Sequence, residues 1–216
     1  MAGGVGRIFL VRHGQTVSNR EQVIQGPRID SELSDVGERQ ARRVGDALAR
    51  VPLEAIYSSP LRRARETAQA VSQNHPRDAL PVQVVPELYE MDYGRFVGRT
   101  YEEVQGEMDQ VLDAWRLGFV DQPFPGGESA LLAQHRVRPF LDRVRGQAEG
   151  EDVAVVAHGR INRVLVATLT GAGLQRLEEF PQSNASITEL EVQGGQARVV
   201  RLNDTRHLDL ATDAFS

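Results

Sequence analysis

The 216-residue chain contains no cysteine. That excludes disulfides, thiolate nucleophiles and cysteine-ligated zinc or iron–sulfur clusters. It contains no lysine either, since all 25 basic residues are arginine. Schiff-base chemistry, including lysine-bound pyridoxal phosphate, is therefore excluded, as is a Walker A loop, which needs Gly-Lys-Ser/Thr. No apolar run reaches the roughly 18 residues of a membrane span. The net charge of −5 leaves no basic footprint for nucleic acid. The N-terminus shows no basic segment followed by a long apolar core, so no secretory signal is read there. With the missing cysteine, this fits a cytoplasmic protein. The length suits one large α/β domain spanning 1–216, or at most a domain with a small cap.

What is present is a recurring pattern. Ile8-Phe9-Leu10-Val11 ends in Arg12-His13-Gly14, and Val153-Ala154-Val155-Val156-Ala157 ends in His158-Gly159. Each reads as a strand buried on both faces, as in a parallel sheet, that delivers a histidine and turns on glycine. Residues 1–6 read as a loose tail and the last dozen as exposed. Residues 14–33 read as an irregular loop, long enough to suggest function. Ser34 predicts an N-cap for a helix to about Val51, stopped by Pro52. Ala55 to Ser58 reads as a second strand. Ser59-Pro60 predicts the cap and first residue of a helix ending near Asn74. Val82 to Val85 reads as a third strand, and 87–99 as loop. Helices follow at Thr100 to about Leu117 and Glu128 to about Ala148, the second with a possible kink at Pro139. After the fourth strand, Asp152 to Ala157, the pattern gives a helix over Asn162 to Thr170. Two late strands, 186–192 and 197–202, join at Gly194-Gly195, a hairpin signal. The alternation predicts a three-layer α/β/α sandwich around a mostly parallel sheet, with 86–127 as an excursion over the sheet edge.

In open α/β sheets, ligands bind beyond the carboxyl ends of the strands. His13, His158, Ser58-Ser59 and an arginine-rich helix start all fall at that edge. Histidines, arginines and helix N-termini together suit a phosphate group.

Arg12-His13-Gly14-Gln15-Thr16 with Asn19 resembles the signature of the histidine phosphatase superfamily, also called the phosphoglycerate mutase-like family. Further similarities follow in the family's order over roughly residues 7 to 170. They are Gln25-Gly26; Leu33-Ser34 with Gly37; Ser58-Ser59-Pro60-Leu61-Arg62-Arg63-Ala64 with Thr67; Glu90, Tyr93-Gly94 and Gly98; Pro125-Gly126-Gly127-Glu128-Ser129; and Ala157-His158-Gly159. The resemblance implies a phosphoglycerate mutase-like fold and a phosphomonoester substrate, a small phosphorylated metabolite. It implies His13 as a nucleophile forming a phosphohistidine, with Arg12, Arg63 and His158 holding the phosphoryl oxygens. Glu90 would be the general acid, with Glu87 and Asp92 as rivals. Thr16, Asn19, Gln25, Gly26 and Gly159 would contact substrate or position His13. The dianion would favour charged His158. No metal and no cofactor is implied.

Phosphatase is favoured over cofactor-dependent phosphoglycerate mutase, for which 2,3-bisphosphoglycerate would be required. The mutase pattern uses paired arginines after the tryptophan and a lysine, whereas here Trp115-Arg116 is followed by Leu117. Glu90-Met91-Asp92-Tyr93-Gly94 resembles the α-ribazole-phosphatase and broad-specificity branches. A non-catalytic phosphate-ester binding module and a zinc hydrolase on His13 and His158 are further alternatives, the latter without a HExxH motif. Arg62 and Arg65 read as solvated or nearby substrate contacts, and His75, His135 and His207 as surface or helix residues. Trp115 and Met108 fit a core, and Trp115 fits a pocket rim as well. A homodimer is compatible with the sequence, which does not fix the oligomeric state.

Overall fold

A computed structural model describes residues 4–76 and 80–208. Residues 1–3 of the expected N-terminal tail and 209–216 of the expected exposed C-terminus lie outside the described residues; Gly4 and Val5 are exposed. The strands are β1 (Gly6–Arg12), β2 (Leu53–Ser58), β3 (Val82–Val84), β4 (Asp152–Ala157), β5 (Ile187–Gln193) and β6 (Gln196–Asp204). They form one sheet in the order β3-β2-β4-β1-β5-β6. β1, β2, β3 and β4 pair in parallel, and β5 runs antiparallel to both its neighbours, so the sheet is mostly parallel as expected. β4 is buried at every residue. An unbroken apolar run is what a central parallel strand needs, because helices cover both faces.

The alternation of side chains along the strands separates two cores. Phe9, Val11, Ile56, Ala154 and Val156 face α2 (Asp35–Leu48) and α3 (Arg62–Gln73), meeting Val44, Leu48, Ala68 and Val71. Ile8, Leu10, Val153, Val155 and Leu190 face the other way, toward α5 (Ala130–Gln147) and α6 (Gly159–Thr170). Each fully buried aliphatic side chain contributes about 1.5–3 kcal/mol. The excursion belongs to this second core. Met91, Phe96 and Phe124 join it, with Met108 and Trp115 from α4 (Tyr101–Arg116). Its turn at Pro86–Leu88 lies against α5, and α4 lies against the Leu174–Glu179 turn. Trp115 is core, its indole N–H donating to the Gln122 carbonyl at 2.7 Å.

Helix boundaries differ from expectation where polar side chains have tertiary partners. Ser34 caps α2 as anticipated, accepting from the Gly37 N–H at 3.1 Å. α3 starts at Arg62 after an N-cap, Leu61, that makes no side-chain cap, so Ser59-Pro60 is not its opening. α6 starts at Gly159 with His158 as N-cap, three residues before the expected Asn162. α5 continues through Pro139. The 14–33 segment contains a short helix, α1 (Val17–Arg20), with a Thr16/Asn19 capping box.

One close approach fixes how β1 hands over to α2. A Cβ on Gly37 would lie 1.9 Å from the Gln15 carbonyl oxygen, and one on Gly14 would lie 2.5 Å from the Gly37 carbonyl oxygen. Two backbones cross here with no room for a side chain. Gly37→Ala should thus destabilise the protein by about 3 kcal/mol, the upper end for overpacking. A urea midpoint unchanged from that of the native protein would contradict this crossing.

Candidate active site

The register of the sheet brings the two histidines together. Arg12 pairs with Ala157 across the parallel β1–β4 ladder, so His13 and His158 leave the same edge on adjacent strands. The His13 N–H continues the ladder to the Ala157 carbonyl at 3.1 Å. Their rings meet edge-on, with centroids 5.1 Å apart and planes at 61°. Both are buried, at 3% and 0% exposure, so only a small group can reach them.

The two imidazoles are held differently. His13 Nδ1 lies 2.7 Å from the Gly14 carbonyl oxygen. A carbonyl only accepts, so Nδ1 donates and the neutral ring keeps its lone pair on Nε2. The His13 carbonyl accepts from the Asn184 side chain and the Ala185 N–H, both at 3.1 Å. The Gly14 N–H donates to Thr67 Oγ1, which donates to the Arg63 carbonyl at 2.8 Å. The nucleophile candidate and the arginine helix are thereby joined. His158 Nε2 lies 2.7 Å from Ser59 Oγ, and its Nδ1 has no partner among the described residues.

Arg12 and Arg63 are anchored through their terminal nitrogens. Arg12 Nη1 donates to the Gln182 carbonyl at 2.6 Å. Arg63 is 1% exposed and donates to the Ile29 and Gly26 carbonyls at 3.0 and 2.9 Å, with Asp30 at 3.8 Å. The Nε of each is buried without a partner among the described residues. Buried donors are almost always satisfied. Two guanidinium N–H groups and a histidine nitrogen left over at one sheet edge fit an anion with several oxygens. Gly159 packs on Arg12, its Cα position leaving only 3.4 Å between a built Cβ and Arg12 Nε.

Glu90 reaches this edge from the excursion. Its Oε1 accepts from the Ile161 N–H at 3.0 Å and the Met91 N–H at 2.9 Å, and its Oε2 from the Arg160 N–H at 3.2 Å. A carboxyl group from residue 90 thus satisfies the free N–H groups at the start of α6, the helix that His158 opens. Asp92 pairs with Arg28 at 2.7 Å and accepts from the Gly94 N–H, and the Glu87 side chain is only partly buried.

Thr16, Asn19 and Gln25 form one cluster. Thr16 Oγ1 accepts from the Gln25 amide at 2.9 Å and the Asn19 N–H at 3.1 Å, and Asn19 Oδ1 accepts from Asn184 at 3.2 Å. Gly26 contributes its carbonyl to Arg63. All the sequence-predicted residues therefore converge on this edge. Arg62 is exposed and paired with Glu66 and Glu32, and Arg65 is exposed. His135 is exposed on α5, and His75, read as a surface or helix residue, follows the end of α3 at 6% exposure, with Nε2 at 3.1 Å from the Val51 carbonyl. Sequence reasoning missed Gln182, Asn184 and Arg160. The first two stand in a short polar stretch that reads as a loop.

A family model described as histidine phosphatase superfamily (branch 1) matches residues 8–205. The chain belongs to the histidine phosphatase superfamily. Its similar members are enzymes of both phosphatase and mutase type. Phosphoserine phosphatase 1 of Hydrogenobacter thermophilus is 32% identical, the match covering 94% of each chain. A 2,3-bisphosphoglycerate-dependent phosphoglycerate mutase of Methylobacterium radiotolerans is 32% identical over 91% of this chain and 89% of its own. Among solved structures, a mycobacterial glucosyl-3-phosphoglycerate phosphatase superposes with TM-score 0.79 at 28% identity, covering 93% of this chain and all of its own. The α-ribazole phosphatase of Shigella flexneri gives 0.76 at 26%, covering 92% and 96%. No helix among the described residues is long and apolar enough to cross a membrane.

Electrostatics in this superfamily member follow from burial beside cations. His13 is pushed well below the ordinary histidine range, first by desolvation and then by Arg63 and Arg12. His158 moves the same way, by desolvation, Arg63, His13 and Arg12. Burial brings Arg63 down to about 10, which leaves it charged at neutral pH. Without an anion, then, His158 is driven toward neutrality, and a bound anion would oppose this. A folded-state pKa below the unfolded value of about 6.5 gives stability that is present above that pH and lost below it. Both imidazoles should stay neutral in NMR titrations from about pH 8 to about pH 6, and the denaturant midpoint should fall on further acidification. Vanadate should move the His158 titration upward. A His13 resonance titrating in the ordinary range would contradict the assignment.

Proposed function

We propose that the protein is a metal-independent phosphomonoester hydrolase working through a phosphohistidine on His13. The observation that carries this reading is the Nδ1–H bond to the Gly14 carbonyl, which leaves Nε2 as a lone-pair donor beside Arg12 and Arg63. In the first step the Nε2 lone pair forms an N–P bond. The P–O bond to the leaving alcohol breaks, and its electron pair goes to that oxygen. Glu90, in its protonated form, gives the proton. Oε2 accepts one N–H bond where Oε1 accepts two, so Oε2 is the oxygen freer to carry it. In the second step water adds to phosphorus, the N–P pair returns to Nε2, and the water proton goes to Glu90. Arg12, Arg63 and His158 hold the phosphoryl oxygens, and their charge balances the charge spread over them in a loose transition state.

No cofactor enters this scheme. Transfer back to a phosphoglycerate, which would need 2,3-bisphosphoglycerate, is the second reading, and the mutase among the similar proteins keeps it in view. Hydrolysis is preferred because Trp115-Arg116 is followed by Leu117, without paired arginines, and no lysine is available. The substrate is a small phosphorylated metabolite, since the histidines are nearly closed off. The similar phosphatases are named for phosphoserine, glucosyl-3-phosphoglycerate and α-ribazole phosphate.

His13→Ala should abolish hydrolysis of p-nitrophenyl phosphate with the fold retained by circular dichroism; near-normal turnover would sink the mechanism. EDTA should leave turnover intact, and a metal requirement would revive a zinc reading. A phosphomonoester panel should include 3-phosphoglycerate with and without 2,3-bisphosphoglycerate. Hydrolysis should exceed isomerisation throughout, and the reverse order would make the protein a mutase.

A further inference from the structure

The segment that presents Glu90 is held from behind by one arginine. Arg136, on α5, donates through Nη1 to the carbonyls of Glu87 and, at 3.1 Å, Tyr89. Its Nε and Nη2 grip both oxygens of Glu128 at 2.8 and 2.9 Å. Glu128 Oε2 accepts the Asp92 N–H at 3.1 Å, and the Glu128 N–H donates to the Asp92 carbonyl at 2.7 Å. The guanidinium also stacks 3.7 Å from the centre of the Tyr89 ring. Positions 87, 89 and 92 are thus fastened on both sides of residue 90. A Cβ on Gly127 would lie 2.2 Å from the Asp92 carbonyl oxygen, so the Pro125–Ser129 loop is pressed directly on this segment.

An ion pair this buried, with side chains 13% and 16% exposed, is weak grounds for stability. Removing two charges from water offsets most of their attraction, and an apolar pair would pack as well. What the pair supplies is direction. The planar fork aims its donors at two carbonyls and a carboxylate at once, which neither an apolar side chain nor a point-charge ammonium can do. Proton transfer requires such direction, because a displacement of about 1 Å can lower the rate 10²-fold.

We propose that Arg136, with Glu128, is a positioning residue that sets the reach of the Glu90 carboxyl to the leaving oxygen and governs proton transfer rather than phosphoryl binding. This rests on the assignment of Glu90 as general acid. It gives Glu128 of the Pro-Gly-Gly-Glu-Ser motif a task beyond the cap, which the structure assigns to Ser129, accepting from the Leu132 N–H at 3.1 Å.

The test exploits the leaving group. Nitrophenolate departs as a stable anion and needs no proton, whereas the alkoxide from glycerol 2-phosphate does. Single-turnover measurements isolate formation of the phosphoenzyme. Arg136→Gln should slow this step about 10²-fold with glycerol 2-phosphate and change the p-nitrophenyl phosphate burst by less than about threefold. Glu90→Gln should show the same selectivity, and the double variant should be no slower than Glu90→Gln alone on the alkyl ester. Should Arg136→Gln fail to fold, Glu128→Gln keeps the shape and the arginine's carbonyl bonds, and should give a weaker loss confined to the alkyl ester. Equal loss on both esters, or none on either, overturns the proposal. If Glu90→Gln itself does not discriminate, Glu90 is not the acid and the proposal falls with that assignment.

Discussion

The parallel pairing of β1 with β4 is the interaction on which the rest of this molecule depends. Its register sets Arg12 opposite Ala157 and so places two histidines side by side. Because strand side chains alternate, a slip of one residue would exchange the two cores and turn Arg12 and His13 to the wrong faces. Burial forbids the slip, since Ile8 to Val11 and Val153 to Ala157 are covered on both sides. The apolar strands that stabilise the sheet are therefore the same residues that align the site.

Charge at this site is arranged by subtraction. The arginines lie where water is scarce, tied chiefly by backbone carbonyls, with Asp30 at 3.8 Å the one carboxylate paired with Arg63 among the described residues. Their positive charge stays available and depresses both histidines. One depressed histidine suits attack, because a protonated imidazole has no lone pair to give. In the proposed mechanism the other would be a reserve, gaining a proton when a dianion arrives to share it. One set of cations thereby keeps His13 unprotonated, with its lone pair free, and makes an anion welcome.

Much of this was legible in the sequence because it is local. Buried parallel strands are unbroken apolar runs, and the histidines follow them at once, so fold class and catalytic edge could be read from Ile8–Gly14 and Val153–Gly159. What could not be read depends on partners far along the chain. Ser59 looks like a helix cap, but its hydroxyl lies on His158. The start of α6 was placed late because the carboxyl that satisfies its N–H groups comes from residue 90. Asn184 and Gln182 precede a strand in an ordinary polar stretch and acquire meaning only through the His13 and Arg12 contacts. The packing of the excursion is hidden for a related reason: its apolar positions show that it is buried but not against what.

The Arg7–Asp152 pair ties residues 145 apart in the chain across the β1–β4 ladder. Contacts that distant form late, after a large loss of chain entropy. During synthesis the first histidine leaves the ribosome long before its partner strand exists, and neither the arginine cradle nor the closing carboxyl can be complete without that strand. A chain lacking β4 has no partial site to offer. Catalytic competence in this architecture arrives together with the finished sheet.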